Sequence, residues 1–310
     1  MRARLGLLCW LLALLALLCG CNVIGIKQRS IERTMRGAGL VAADVKLGAD
    51  SVHYWAGGHG PTVLLVHGFG ASGMWLWYPQ VEDLARDHRV IVPDLLWFGE
   101  SASTDRDFGI DHQVHAVEAL LDKLGEGAVD VVGVSYGGLV AHELASERVA
   151  QVRHMVIVDS PARAYTREDY GSLCRRFHVD DVAKVLVPHD GAGVEQLLEL
   201  AYFDPPWIPD FALDQTLLSL YAQNRDERAL LLSTVIRDMD ILKARPVTRR
   251  GPALVIWGRQ DPVFPLEIGQ RQATSLGAPI RIIDSARHAP NLEHPEAFNR
   301  HLRAFLATGG

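Results

Sequence analysis

VDVVGVSYGGLVAHELA, residues Val129 to Ala145, encodes a strand, a sharp bend and a helix in immediate succession. Val129, Val131, Val132, Gly133 and Val134 make the short apolar run of a buried strand. Leu139, Val140, Leu144 and Ala145 then gather on one side of a helix. Between the two stands Gly133-Val134-Ser135-Tyr136-Gly137, a G-x-S-x-G sequence. A strand that turns at once into a helix strains the backbone at the bend and packs the helix close, so the bend needs small residues. Gly133 and Gly137 leave that room, and Ser135 is pushed out at the tip as a nucleophile. Alone, G-x-S-x-G is a modest signal, and a glycine-rich connection with an idle serine also fits the letters. Its place between strand and helix makes Ser135 the candidate nucleophile.

Outward from this unit the same alternation continues on both sides. Upstream, two short alternating stretches, Asp44–Leu47 and Ser51–Ala56, flank Gly48-Ala49-Asp50 and suit a hairpin. Thr62–Val66 reads as a buried strand running into the glycine-rich loop His67-Gly68-Phe69-Gly70. A helix is expected around Trp75–Arg86, and a strand at Arg89–Val92 ends in PDLLWFGES, with Asp94 at the strand end. A helix from about Asp111 to Leu124 precedes the central unit. Downstream, the strand Arg153–Val158 ends at Asp159-Ser160-Pro161. From Pro161 to about Arg245 the alternation then breaks into helical pieces, such as Val194–Tyr202, Asp214–Tyr221 and Glu227–Ile236, punctuated by Pro188, Pro205-Pro206 and Pro209. It resumes at Ala253–Trp257, a helix near Leu266–Leu276, a strand at Ile280–Ile283 and a helix Pro295–Leu306. Strands alternating with helices predict an α/β fold with a mostly parallel, doubly wound sheet. The helical interruption reads as an inserted cap, which divides the body into core (44–160), cap (161–245) and core (246–310).

The first twenty residues have another character. Arg2 and Arg4 precede an unbroken apolar run from Leu5 to Leu18, which reads as an export signal. The run ends in Leu18-Cys19-Gly20-Cys21, which resembles a bacterial lipoprotein signal with Cys21 as the acylated first mature residue. An uncleaved anchor helix is the competing reading, since apolar character continues through Val23, Ile24 and Ile26. Either reading places the protein in the cell envelope at a membrane surface. Residues 21–43 are then anchor and connector, polar and basic from Ile26 to about Leu40.

Without residues 1–20, 290 residues remain, enough for one large domain with an insertion, and the formal net charge moves from −6 to −8. No basic run suits nucleic acid, and none is expected as a partner. Of four cysteines only Cys174 lies in the body, so no disulfide framework is expected. No phosphate loop and no zinc-type spacing occurs, and neither cofactor nor metal is expected.

HGFG after an early strand, PDLLWFGES, GVSYGG, GRQDPVFP after a late strand and RHAPNLEHPEAF near the end occur in one order. From about Asp44 to the C-terminus the chain resembles an α/β-hydrolase with a helical cap, and HGFG and PDLLWFGES are similar to those of bacterial lipases and esterases. The resemblance implies the order nucleophile, acid, histidine, which Ser135, Asp261 and His288 supply. A serine hydroxyl attacks only when a base held in one tautomer removes its proton. Asp261 follows a strand, as does its rival Asp159, and a plain turn aspartate before proline is the bland reading of Asp261. His294 competes less well with His288, because it lies at the start of the last helix. The resemblance also implies an oxyanion hole from the backbone N–H groups of Phe69 and Tyr136, and a loop-supporting role for His67. Trp75, Trp77 and Trp97 suit the core, with a pocket role open to Trp97 on its loop after a strand end.

The expected activity is cleavage of a carboxylic ester, a lipid among the candidates, through an acyl-enzyme. Two alternatives remain. One is a C–C bond hydrolase of the same fold, whose diketone-type substrates are usually intracellular. The other is a catalytically silent binding module on this fold, against which the complete triad argues.

Overall fold

The computed structural model describes residues 22–70 and 72–308, so the signal segment and Cys21 lie outside the described residues. In chain order the sheet strands are β1 (Val41–Leu47), β2 (Asp50–Gly58), β3 (Thr62–Val66), β4 (Arg89–Pro93), β5 (Ala102–Ser103), β6 (Val129–Val134), β7 (Val152–Val158), β8 (Ala253–Gly258) and β9 (Ile280–Ile283). They lie side by side as β1-β2-β4-β3-β6-β7-β8-β9, with the short β5 paired to β2. The hairpin β1–β2 joins β4 antiparallel, and every pair from β4 to β9 is parallel. This is the mostly parallel, doubly wound α/β sheet expected from the alternation.

Every residue of β3, β6 and β8 is buried, as a parallel sheet covered on both faces requires. Side-chain alternation splits these strands between two cores. Leu64, Val66, Val131, Val255 and Trp257 enter the core beneath α3 (Ile110–Leu124), α4 (Tyr136–Glu147) and α10 (Leu266–Leu276). Val63, Leu65, Val132, Val134 and Ile256 enter the other, beneath α1 (Val23–Gly37), α2 (Gly73–Leu84) and α12 (Pro295–Leu306).

The helix α1 corrects the polar connector expected over Ile26 to Leu40. Asn22 caps it, its side chain accepting from the Gly25 N–H at 2.7 Å, and Ile31 and Met35, four residues apart, are buried in the second core. With only these two positions buried, the helix carries too narrow an apolar stripe to stand out among its basic residues.

Between β7 and β8 the chain forms α5 (Arg167–Phe177), α6 (Ala183–Leu186), α7 (Gly191–Ala201), α8 (Asp210–Thr216), a π-helical turn at Leu217–Tyr221, and α9 (Arg225–Ala244). The helices α5 and α6 fall within the stretch expected to be helical, ahead of the pieces named from the sequence. Thr166 and Asp169 close a capping box at the start of α5, a signal present in the sequence. Among the described residues no helix is long and apolar enough to cross a membrane.

Candidate active site

The bend after β6 is as tight as its glycines imply. A Cβ on Gly133 would lie 2.1 Å from the Gly137 carbonyl oxygen, and one on Gly137 would lie 2.3 Å from that of His67. Ser135 takes φ 53° and ψ −121°, and its N–H donates to the Val158 carbonyl at 2.9 Å. A non-glycine residue at positive φ persists only where its surroundings over-determine it. Here β7 on one side and α4 on the other leave no alternative path.

His288 and Asp261 arrive from loops beyond β9 and β8, at the same end of the sheet. Ser135 Oγ is 2.9 Å from His288 Nε2, and His288 Nδ1 is 2.8 Å from Asp261 Oδ2. The tautomer that satisfies both contacts carries its proton on Nδ1, which donates to Asp261, and accepts the serine hydroxyl at Nε2. The other oxygen of Asp261 accepts the N–H groups of Val263 and Phe264, at 2.7 and 3.1 Å. The three residues ordered as nucleophile, base and acid therefore form one hydrogen-bonded chain. Asp159 is fully buried behind it, and its Oδ1 accepts the Gly258 N–H. His294 lies apart, its Nε2 on the Ser285 carbonyl.

The His67–Gly70 loop crosses next to the nucleophile, where a Cβ on Gly68 would meet the Ser135 Cβ at 2.9 Å. Phe69 and Tyr136 both face the same cavity as Ser135, and their rings meet edge to face with centroids 5.9 Å apart. Tyr136 is the first residue of α4, so its N–H has no carbonyl of its own helix to receive it. His67 holds the loop in shape: Nδ1 donates to the Gly68 carbonyl at 2.7 Å, and Nε2 accepts the Leu95 N–H at 2.9 Å. Burial pushes its pKa down to about 4, so the ring is neutral near pH 7. Asp94, whose carboxylate takes the N–H groups of Gly73 and Glu100, binds the loop after β4 to the start of α2, and burial pushes its pKa up to about 6.

Above the serine lies a predominantly apolar cavity of about 450 Å³ between core and cap. Leu139, Leu197, Leu220, Ile236 and Phe264 are among its walls, and α1 adds Ile24 and Lys27. Trp75, which suits the core by its sequence, is a wall of this cavity. Trp77 is in the core. Trp97 is not among the lining residues: its ring packs on Phe108 and His112, and its carbonyl accepts from Arg228 and Asn224 of the cap.

Two connections between the cap and the histidine loop were not legible in the sequence. The N–H groups of His288 and Ala289 donate to the Leu200 and Ala201 carbonyls at the end of α7. Glu293 accepts from the Arg287 N–H at 2.6 Å and the Phe203 N–H at 2.5 Å, clamping the chain after α7 to the loop that carries His288. A glutamate ending the one-turn helix α11 (Pro290–Glu293) gives no signal of that role. Among the described residues, His115, Glu118 and Glu147 are close enough to share a metal ion, and none lines the cavity.

The chain is 30% identical over 257 residues to the pimeloyl-[acyl-carrier protein] methyl ester esterase of Chromobacterium violaceum, covering 81% of this chain and 96% of that protein. It is 25% identical to the 2-hydroxy-6-oxo-6-phenylhexa-2,4-dienoate hydrolase of Burkholderia cepacia, covering 83% and 92%. The chain spans 65% of another relative, the dihydrolipoyllysine-residue acetyltransferase component of an acetoin cleaving system from Pseudomonas putida, at 29% identity. A crystal structure of a membrane phospholipase A superposes with a TM-score of 0.71 at 25% identity, covering 99% of this chain and 98% of that one. The family model for the alpha/beta hydrolase fold matches residues 61–295, so the chain belongs to the alpha/beta hydrolase family.

Proposed function

We propose that this hydrolase cleaves carboxylic esters with long or bulky acyl groups, through an acyl-enzyme on Ser135. The observation that carries the reading is the unbroken chain Ser135–His288–Asp261 at the floor of an apolar cavity. His288 Nε2 takes the proton of Ser135 Oγ as the oxygen attacks the ester carbonyl. The N–H groups of Phe69 and Tyr136 receive the developing oxyanion. Asp261 stabilises the imidazolium, which then returns its proton to the leaving alcohol. Water repeats the sequence in reverse and releases the acid. A binding module would not need a serine, a base and an acid in register.

The same triad suits C–C bond hydrolysis, for which the Burkholderia cepacia relative is named. Several features favour the ester: the leucine-rich walls, the esterase relative and the likeness to a membrane phospholipase A over nearly the whole chain. Turnover of p-nitrophenyl esters of increasing chain length tests the reading, with fluorophosphonate labelling of Ser135 beside it. A labelled enzyme that leaves every ester intact and cleaves a dienoate diketone would transfer it to the C–C class.

Attachment to a membrane, through an acylated Cys21 or through the apolar segment itself, belongs to the same proposal. The start of α1, one residue beyond Asn22, lines the cavity with Ile24 and Lys27 and is joined to the cap by the Val23 N–H on Gln215. Exposed apolar side chains alternate with lining residues: Ile26 (53% exposed), Trp207 (86%) and Leu218 (68%). A segment anchored just before Asn22 would bring this apolar edge of the cavity to the bilayer.

A further inference from the structure

Asp159 follows β7 directly with φ 39°, its N–H donating to the Ile256 carbonyl, and its side chain is completely buried. The carboxyl is not used by the triad. Its Oδ1 accepts the Gly258 N–H at 2.8 Å, while its Oδ2 is buried with no hydrogen-bond partner, and the Asp261 carboxyl lies close enough to act on the Asp159 carboxyl. Two adjacent buried carboxyl groups cannot both ionise, and the one with more donors keeps the charge. Asp261 has the N–H groups of Val263 and Phe264 as well as His288 Nδ1–H, against a single amide for Asp159.

Resting on the triad proposed above, we propose that Asp159 is protonated in the folded enzyme and donates an Oδ2–H hydrogen bond to the Asp261 carboxylate. The acid of the triad is then half of a carboxylic acid–carboxylate pair, and Asp159 is a positioning residue that acts on His288 through Asp261. Its donation fixes the plane of the Asp261 carboxyl and draws charge away from the oxygen facing His288. Burial holds the Asp159 proton well above the usual carboxyl range, and the same-sign charges of Asp261 and Glu293 add to that effect.

Asp159→Asn and Asp159→Ala separate the proton from the packing. Asparagine tolerates positive φ, accepts from Gly258 through its oxygen and donates to Asp261 through its amide, with nothing to titrate. Wild-type Asp159 keeps its proton at pH 7 when folded and loses it when unfolded, so its stability penalty grows as pH rises above about 4. Asp159→Asn should therefore raise the unfolding midpoint at pH 7, the difference vanishing towards pH 4. Infrared spectra of the wild-type protein at pH 7 should contain a protonated carboxyl C=O band that the asparagine variant lacks. Asp159→Ala should lower kcat on the order of tenfold with little change in KM, as loss of one hydrogen bond to a charged group implies, and asparagine should restore most of it. A lower midpoint for Asp159→Asn at pH 7, an absent C=O band, or equal losses of kcat in both variants would overturn the proposal. The infrared and stability measurements need no turnover, so they read Asp159 even if the enzyme cleaves no ester.

Discussion

Ser135 is held in a conformation that serves its exposure rather than its comfort, so removing its hydroxyl should disturb little else. Ser135→Ala is expected to fold normally and to lose on the order of 10⁴-fold or more in kcat, read by ester turnover on purified protein. Asp261→Asn should lose most activity as well, because the two backbone donors at its Oδ1 favour the amide arrangement that presents N–H groups to His288 and imposes the wrong tautomer. His67 gives a test by pH. Its folded pKa, about 4, lies below the unfolded histidine value, so the unfolded state takes up a proton first as pH falls. Stability supplied by neutral His67 is intact above about pH 6.5 and lost progressively down to about pH 4, by about 3 kcal/mol in all. In His67→Gln the acid-side fall of the melting midpoint should be correspondingly smaller, and an unchanged fall would assign it to other groups. Ser135 and His288 could be read from motifs, because each chemical role demands one residue type in one local context. The choice of Asp261 over Asp159 rests in the sequence on the resemblance alone, since both follow strands, and the packed ends of β7 and β8 bring Asp261 to the histidine.

At the scale of elements, the bend after β6 and the clamp at α7 carry the geometry. Gly137→Ala places a methyl within 2.3 Å of the His67 carbonyl, backbone that cannot yield, and should sharply reduce the yield of folded protein in a solubility assay. Glu293→Ala removes the acceptor shared by Arg287 and Phe203. Faster amide exchange is expected at both residues, with kcat reduced several-fold as His288 loses its fixed approach. Unchanged exchange would mean that the α7 carbonyls alone hold the loop. Strand positions such as Thr62–Val66 and Ala253–Gly258 are legible in the sequence because a covered parallel sheet needs uninterrupted apolar runs. The helices α1 and α5 are not, because the first buries only Ile31 and Met35 and the second only Leu173 and Cys174.

For the whole molecule, the consequence of interest is where the cavity opens. Cys21→Ser should abolish labelling by radioactive palmitate while hydrolysis of a short, water-soluble ester continues. Hydrolysis of bilayer substrates should fall with the loss of local concentration. A variant that stays in the membrane fraction would replace the lipid anchor with the apolar segment itself. Trp207→Ser removes the most exposed large apolar side chain among the described residues and should weaken binding to lipid vesicles on the order of tenfold, in a flotation assay, leaving soluble-ester turnover intact. Equal vesicle binding by both proteins would move the contact surface away from this edge of the cavity.

The amino-acid sequence alone determines the α/β class and the strand–serine–helix bend, because each depends on local periodicity or on a turn that only small residues allow, while the order Ser135, Asp261, His288 is what the resemblance to α/β-hydrolases implies. Tertiary packing decides the rest. Parallel pairing of β7 with β8 places Asp159 against Asp261, α7 grips the loop of His288, and α1 folds back to become a wall of the cavity. None of these contacts joins residues close in sequence, and none has a periodicity of its own. They exist because strand ends that lie far apart along the chain converge on one edge of the sheet, where charge, burial and hydrogen bonding assign each residue its part.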